Sequence, residues 1–324
     1  MQQTHERAAR RPPAQTGLRL NEMRSIPAST FDACVLVQGE QHIDESCDRG
    51  RQRIPFWSKN GSPQCASGVK MTTELSGIQN STFRAEFIDV PRVLADWTQQ
   101  YGGLADKDVL DFGCGEGATT LGVALHHRPR RVVGVDILPK IWNTIPNARK
   151  YIDLAAEPDN LLLKQVEQDT PLDDLGMFDV VYSWSVFEHV QHDLIADCFA
   201  KMKRVLRPNG VLFMQTTPLY FSAFGSHFQH WIPTPWSHLL IQHDVYSNEL
   251  RRRVGDEAQA HDLWCMFENL NRATANQIVR AARQTGLEII REHRTYDDYK
   301  IPDDLREIYA EETHCALPDF RGKT

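Results

Sequence analysis

The sequence is most informative at first for what it lacks. No apolar run in its 324 residues approaches the ~18–20 that a membrane-spanning helix needs. The N-terminus carries no apolar core segment of the kind found in a secretory leader, so no export signal is expected. Cysteine is sparse and badly placed for covalent bracing. The seven residues Cys34, Cys47, Cys65, Cys114, Cys198, Cys265 and Cys315 are odd in number, widely spread and free of any C-x-x-C pair. That pattern argues against a disulfide framework or a zinc knuckle and fits a reducing cytoplasm. Asn60 and Asn80 begin glycosylation-like triplets, which without a leader read as chance. An excess of positive charge is missing as well: 36 Lys and Arg face 43 Asp and Glu, a net charge of −7. A general nucleic-acid binder, usually basic, is therefore not expected, although a local basic patch is compatible with this balance.

Against these absences, Val109 to Gly117 stands out. An apolar run (Val109, Leu110, Phe112) meets glycines at alternate positions, Gly113, Gly115 and Gly117, and a helix-compatible stretch follows from Ala118 to His126. This is how a parallel α/β sheet presents a nucleotide-like ligand at the carboxyl end of a strand. The glycines permit close approach of the ligand, and the start of the helix offers unpaired N–H groups. The spacing Gly113-x-Gly115-x-x-Ala118 also satisfies the dinucleotide fingerprint, so a nicotinamide enzyme is one reading. Asp111 points elsewhere, because a carboxylate there repels a pyrophosphate but suits a ligand with a cationic ammonium group. With Asp111 included, the loop resembles motif I of the class I S-adenosylmethionine-dependent methyltransferases.

The next elements extend that resemblance. Arg131 to Asp136 reads as a strand buried on both faces, ending in an acid about 20 residues beyond the glycine loop. A carboxylate at Asp136 can accept hydrogen bonds from ribose hydroxyls, and Ile137 beside it belongs to the expected cofactor site. Leu161 to Val166 is a plausible third strand. It leads to Asp169 and Thr170, where the resemblance implies contact with the adenine, although Asp-x-Pro is also common turn chemistry. The strand from Phe178 ends at Trp184, and the Glu188-His189 pair that follows resembles the family's fourth motif in many small-molecule methyltransferases. A helix over about 193–205, the turn Leu206 to Gly210 and a strand Val211 to Gln215 complete a series that a dehydrogenase does not need. The fold expected is α/β: a Rossmann-like, doubly wound, mostly parallel sheet.

The resemblance implies S-adenosyl-L-methionine as cofactor, held by Asp111, Gly113, Gly115, Gly117, Asp136, Ile137, Asp169, Thr170 and Trp184. His189 is the candidate base, since its ordinary pKa suits proton transfer near neutral pH. Glu188 is placed with the substrate and is an alternative base. After the fifth strand, residues 218–270 form an insert rich in aromatics and histidines. It is expected to be a lid or pocket wall, with Tyr220, His227, His230 and Trp236 lining the acceptor, or else a satellite hydrophobic cluster. His227-x-x-His230 invites a metal reading, but no further ligands at convincing spacing complete a site, and no metal is expected.

The remainder is less patterned. Residues 1–75 read as an extension without sustained periodicity, Phe31 to Val37 being its one convincing apolar cluster, and are expected to be largely disordered. The methyltransferase domain is taken as 76–324. Phe83, Phe87, Val90, Leu94 and Trp97 fall at helical spacings, with Pro91 tolerable near a helix start or kink. A helix to about Gln284 and a sixth strand, Leu287 to Arg291, follow the insert. No seventh, antiparallel strand of the kind usual in this family can be assigned after Arg294, where Asp303 to Glu311 looks helical and Thr313 to Leu317 is short and mixed. The expected function is methyl transfer to a small molecule, with oxygen favoured as acceptor. A non-catalytic module of the same fold and methylation of a macromolecule are the alternatives. The sequence does not identify the acceptor or the oligomeric state.

Overall fold

The computed structural model describes residues 29–37, 77–296, 299 and 302–305. Seven strands form one sheet: β1 Ser29–Val37, β2 Asp108–Phe112, β3 Arg131–Asp136, β4 Leu161–Gln165, β5 Phe178–Trp184, β6 Leu206–Gln215 and β7 Glu288–Tyr296. Their order is β4-β3-β2-β5-β6-β1-β7. The pairs from β4 to β6 are all parallel. The doubly wound, Rossmann-like expectation therefore holds.

The central strands read as continuous apolar runs because both of their faces are covered. Alternate residues go to opposite sides. Val109, Val132, Val180, Val211 and Phe213 join Val90, Leu94 and Trp97 of α1 (Val90–Thr98) and Val123 of α2 (Ala118–His126). Leu110, Val133, Val181, Leu212 and Met214 meet Phe199 and Met202 of α3 (Ile195–Arg204) on the other face. The insert follows β6 and contains α4 (His243–Val254) and α5 (Glu257–Glu268). Beyond it, α6 (Ala275–Gln284) contributes Ile278, Val279 and Ala282 to the α3 side. At the amino ends of the strands, Asp108 takes bonds from Arg130 at 2.8 and 2.6 Å and from Arg207 at 2.8 Å. Asp179 accepts from the Asp108 amide at 2.8 Å, tying β2 to β5.

Three expectations need correction. The antiparallel strand does not come from the C-terminal side: β1 lies between β6 and β7, antiparallel to both. Cys34, for example, pairs with Met214 on one side and Glu292 on the other. Residues 29–37 are thus part of the sheet rather than of a structureless extension. The turn expected at Leu206 to Gly210 lies within the ten-residue β6 as an irregularity, where Leu206 pairs with Phe178 and Val211 with Val180. The helix expected to run to about Gln284 begins at Ala275, where Thr274 and Gln277 form a reciprocal capping box, and ends at Gln284.

Elsewhere the segments agree more closely. Pro91 sits in the first turn of α1, directly after a π-helical turn at Ala85–Asp89, where the changed hydrogen-bond spacing accommodates its missing N–H. Of the helix expected at 303–311, a single 3₁₀ turn, Asp303–Leu305, falls among the described residues. Thr313 to Leu317 lies outside them.

Candidate active site

The order of the sheet reverses between β2 and β5, and ligands of open α/β sheets bind outside the carboxyl ends of strands at such a point. Two turns meet there, the glycine loop after β2 and the Ser185–His189 turn after β5. They are in close contact: a Cβ at Gly113 would lie 2.5 Å from a methyl of Val186. A Cβ at Gly117 would lie 2.4 Å from the Thr144 hydroxyl, and both glycines have positive φ, 80° and 73°. The sequence folds this way because a side chain at either position would clash and be strained. The amides of Gly113 and Cys114 both donate to the Val135 carbonyl, at 2.9 and 3.0 Å, fixing the loop to β3.

Two carboxylates flank this loop. Asp111 is buried and accepts from the Thr120 hydroxyl at 2.6 Å and the Tyr182 hydroxyl at 2.8 Å. Burial pushes its pKa up to about 7, opposed by those two bonds and reinforced by Asp136. Asp136 closes β3 and accepts from the Gly115 amide at 2.7 Å and the Leu138 amide at 2.8 Å. It therefore braces the loop itself, while a carboxylate's remaining lone pairs stay available to a ligand. Ile137, Leu138 and Trp142 next to it are large apolar residues left exposed. Trp142 donates to Gln165 at 3.0 Å, and Gln165 donates to the Ile137 carbonyl at 3.1 Å.

The other expected cofactor residues are less clearly engaged. Asp169 is exposed, in a turn where the Thr170 hydroxyl accepts from the Glu167 amide at 2.9 Å. Trp184 is half-buried and stacks on Phe213, with 6.1 Å between ring centroids, so its ring faces the core packed by α1.

The turn after β5 carries the polar chemistry. Ser185 has φ of 52°, and its amide and hydroxyl both bond the Gln215 side chain at 3.0 Å. Glu188 is buried, and the Thr216 hydroxyl donates to its Oε2. Its Oε1 is also buried and has no partner in hydrogen-bonding geometry. Burial raises the Glu188 pKa to about 7, with Thr216 and the backbone N–H groups of Glu188 and Thr217 pulling it back. His189 presents its ring at the surface of the cleft. Loss of solvent around the imidazole lowers its pKa to about 4, and His227 and Lys140 add to the shift.

Among the insert residues, His227 is drawn towards this turn and the others are not. Its ring lies 5.4 Å from that of His189, and its Nε2 bonds the Pro218 carbonyl at 3.0 Å. Tyr220 stacks on Phe267, and its carbonyl accepts from His238 Nε2 at 2.7 Å. His230 is exposed against Trp231, away from any shared helix face with His227. Trp236 is buried with Ala223 and Leu305, in a packing role. The insert also has a core of its own around Phe228, Tyr246, Leu250, Trp264 and Phe267. Among the described residues, no group of three or more His, Cys, Asp or Glu is placed to hold a metal ion. Nor is any helix of the described residues long and apolar enough to cross a membrane.

Sequence reasoning missed Thr120 and Tyr182 on Asp111, Thr216 on Glu188, and Trp142. A threonine in the first turn after a glycine loop could have suggested the first. The others depend on tertiary contacts with no local signal.

Comparison with known proteins agrees with this geometry. The family model described as a methyltransferase domain matches residues 86–292. A ubiquinone biosynthesis O-methyltransferase of Pseudomonas aeruginosa (strain UCBPP-PA14) is 28% identical over 128 residues, 40% of this chain and 52% of that protein. The protein of the same name from Histophilus somni (strain 2336) is 31% identical over 129 residues, 39% of this chain and 52% of the relative. The matches thus span about half the length of these curated relatives. The structure of the cyclopropane synthase MmaA2 from Mycobacterium tuberculosis covers 68% of this chain and 76% of its own, at 18% identity and a TM-score of 0.41. With the family model spanning well over half of the sequence, the chain belongs to the methyltransferase-domain family, in the class I S-adenosylmethionine-dependent group.

Proposed function

We propose that this protein transfers the methyl group of S-adenosylmethionine to an oxygen of a small molecule. The observation that carries this reading is the meeting of the glycine loop, flanked by Asp111 and Asp136, with the Glu188–His189 turn at one cleft. The donor fits the residues present. Gly115 has open space beside it, where a Cβ would meet only the Lys140 side chain at 3.9 Å, the buried Asp111 carboxyl suits an ammonium group, and Asp136 suits ribose hydroxyls. Exposed Ile137 and Trp142 offer apolar surface to a flat ring.

When bound, S-adenosylmethionine supplies a sulfonium methyl open to in-line displacement. The chain's task is to align the acceptor and to keep water out, which together account for much of such a rate enhancement. The insert, through His227, is the proposed wall on the acceptor side. His189 is the proposed base: with its pKa near 4 the ring is neutral at pH 7 and can accept a hydroxyl proton. The adjacent Glu188 supports a second reading. Its pKa near 7 is better matched to proton transfer at neutral pH, and its Oε1 lacks a partner. O-methylation is also supported by the two relatives, each named as an O-methyltransferase.

The test is to incubate the protein with methyl-labelled S-adenosylmethionine and a small-molecule extract, then separate the products. Label recovered as a methyl ether, and lost in His189→Gln, supports the reading; loss in Glu188→Gln alone would transfer the role of base to Glu188. Label in protein or RNA would overturn the choice of acceptor class. Bound donor with no transfer to any pool would favour a non-catalytic module.

A further inference from the structure

Asn271 lies between the insert and α6, some eighty residues from the turn after β5, yet its hydrogen bonds converge on that turn. Its side-chain amide donates to the Phe187 carbonyl at 2.5 Å and to the Val190 carbonyl at 2.6 Å. Its backbone amide donates to the Glu188 carbonyl at 3.1 Å. Its own Oδ1 accepts from the Ala273 amide at 2.8 Å, which fixes the orientation of the side chain. One residue thus occupies three carbonyls of the four-residue stretch that carries Glu188 and His189. A primary amide with two N–H donors is suited to bridging two carbonyls, whereas a carboxylate or an aliphatic side chain has no donor to give.

The next residue engages the insert. Arg272 has φ of 58° and holds its guanidinium 4.9 Å from the centre of the Tyr220 ring. The Tyr220 carbonyl in turn accepts from His238. Asn271 and Arg272 therefore join the Glu188–His189 turn to the insert through two adjacent residues.

We propose that Asn271 is a positioning residue for the proton-transfer turn, fixing the direction of Glu188 and His189 relative to the insert. It acts through the backbone of the turn, whose carbonyls it holds. The proposal rests on the reading of that turn as the proton-accepting element, and its test is chosen to be independent of donor binding.

The readout is the titration of the His189 ring, followed by NMR of carbon-labelled histidine and assigned with His189→Gln. The charged or titratable groups that bear on this ring are His227 from the insert and Lys140 from the loop after β3. Asn271 carries no charge, so replacing it alters the titration only by moving the ring. In wild type the midpoint is expected near the low value that its surroundings impose, about 4. In Asn271→Ala, or in Asn271→Leu should the smaller side chain not yield folded protein, it should rise by about one unit or more. Leu270→Ala serves as control, since Leu270 is buried in the insert cluster. That variant should lose thermal stability without moving the midpoint. An unchanged midpoint in folded Asn271 variants would overturn the proposal, as would an equal rise in Leu270→Ala. Titration of wild type with S-adenosylhomocysteine separates the two ideas. Absence of binding would count against the proposed function, while the His189 shift would still decide the role of Asn271.

Discussion

Val186 occupies the space that a side chain at Gly113 would need, its nearer methyl 2.5 Å from where a Cβ would be. The glycine loop and the turn after β5 are thus fitted to each other before any ligand arrives. Gly113→Ala should cost stability through both this clash and the positive φ, by about 1–3 kcal/mol. Adding Val186→Ala should relieve the clash but not the strain, so the double variant should recover only part of the loss. Chemical denaturation of the three variants checks this.

Asp136 has two partners within the protein, the Gly115 and Leu138 amides. Its replacement by alanine removes a brace of the loop along with a proposed ribose acceptor. Donor affinity should fall by about 1.5–3 kcal/mol, roughly ten- to a hundredfold. Calorimetric titration measures this directly, and unchanged affinity would remove Asp136 from the site.

A desolvated carboxyl and a desolvated imidazole act on stability in opposite senses. Glu188 has its pKa raised from 4.5 to about 7, so the folded state holds a proton that the unfolded chain releases. Its contribution is fully present below pH 4.5 and is lost as pH rises through 7. His126, His127, His189 and His238, lowered from 6.5 to about 4, contribute stability above pH 6.5 that is lost as pH falls towards 4. The two sets oppose each other in wild type. Glu188→Gln removes one member, so its stability relative to wild type should rise between pH 5 and 8, by up to roughly 3 kcal/mol. A difference that stayed flat across that range in urea unfolding would show that burial does not raise the Glu188 pKa.

The backbone of β1 makes a separate prediction. β7 is paired to the sheet through β1, with Cys34 opposite Glu292. Cys34→Pro removes a backbone donor from a strand flanked on both sides. Hydrogen exchange across 288–296 should become markedly faster, whereas β2 to β5 should keep their protection.

What the sequence made legible follows from this arrangement. Strands β2, β3 and β5 are buried on both faces and could be read as apolar runs, and the glycine loop identified their carboxyl ends. β1 could not be read in this way: Phe31 to Val37 is a single apolar segment whose partners lie more than 170 residues away at Val211–Met214 and beyond. Asp111 and Asp136 were visible because they lie at or one residue from the carboxyl end of a strand, and Glu188 and His189 because they follow β5 within five residues. Trp236 was a reasonable candidate by residue type, but burial against Ala223 gives it a packing role. Asn271 had no local signature at all, since its significance lies in carbonyls that only the folded chain brings to it.

The central claim is that the cleft between the glycine loop and the Glu188–His189 turn binds S-adenosylmethionine. Calorimetric titration of the folded protein with S-adenosylmethionine and S-adenosylhomocysteine tests it most directly. We expect one site and micromolar affinity for both, weakened in Asp136→Ala. Absence of binding by either ligand, in protein shown to be folded, would contradict the account.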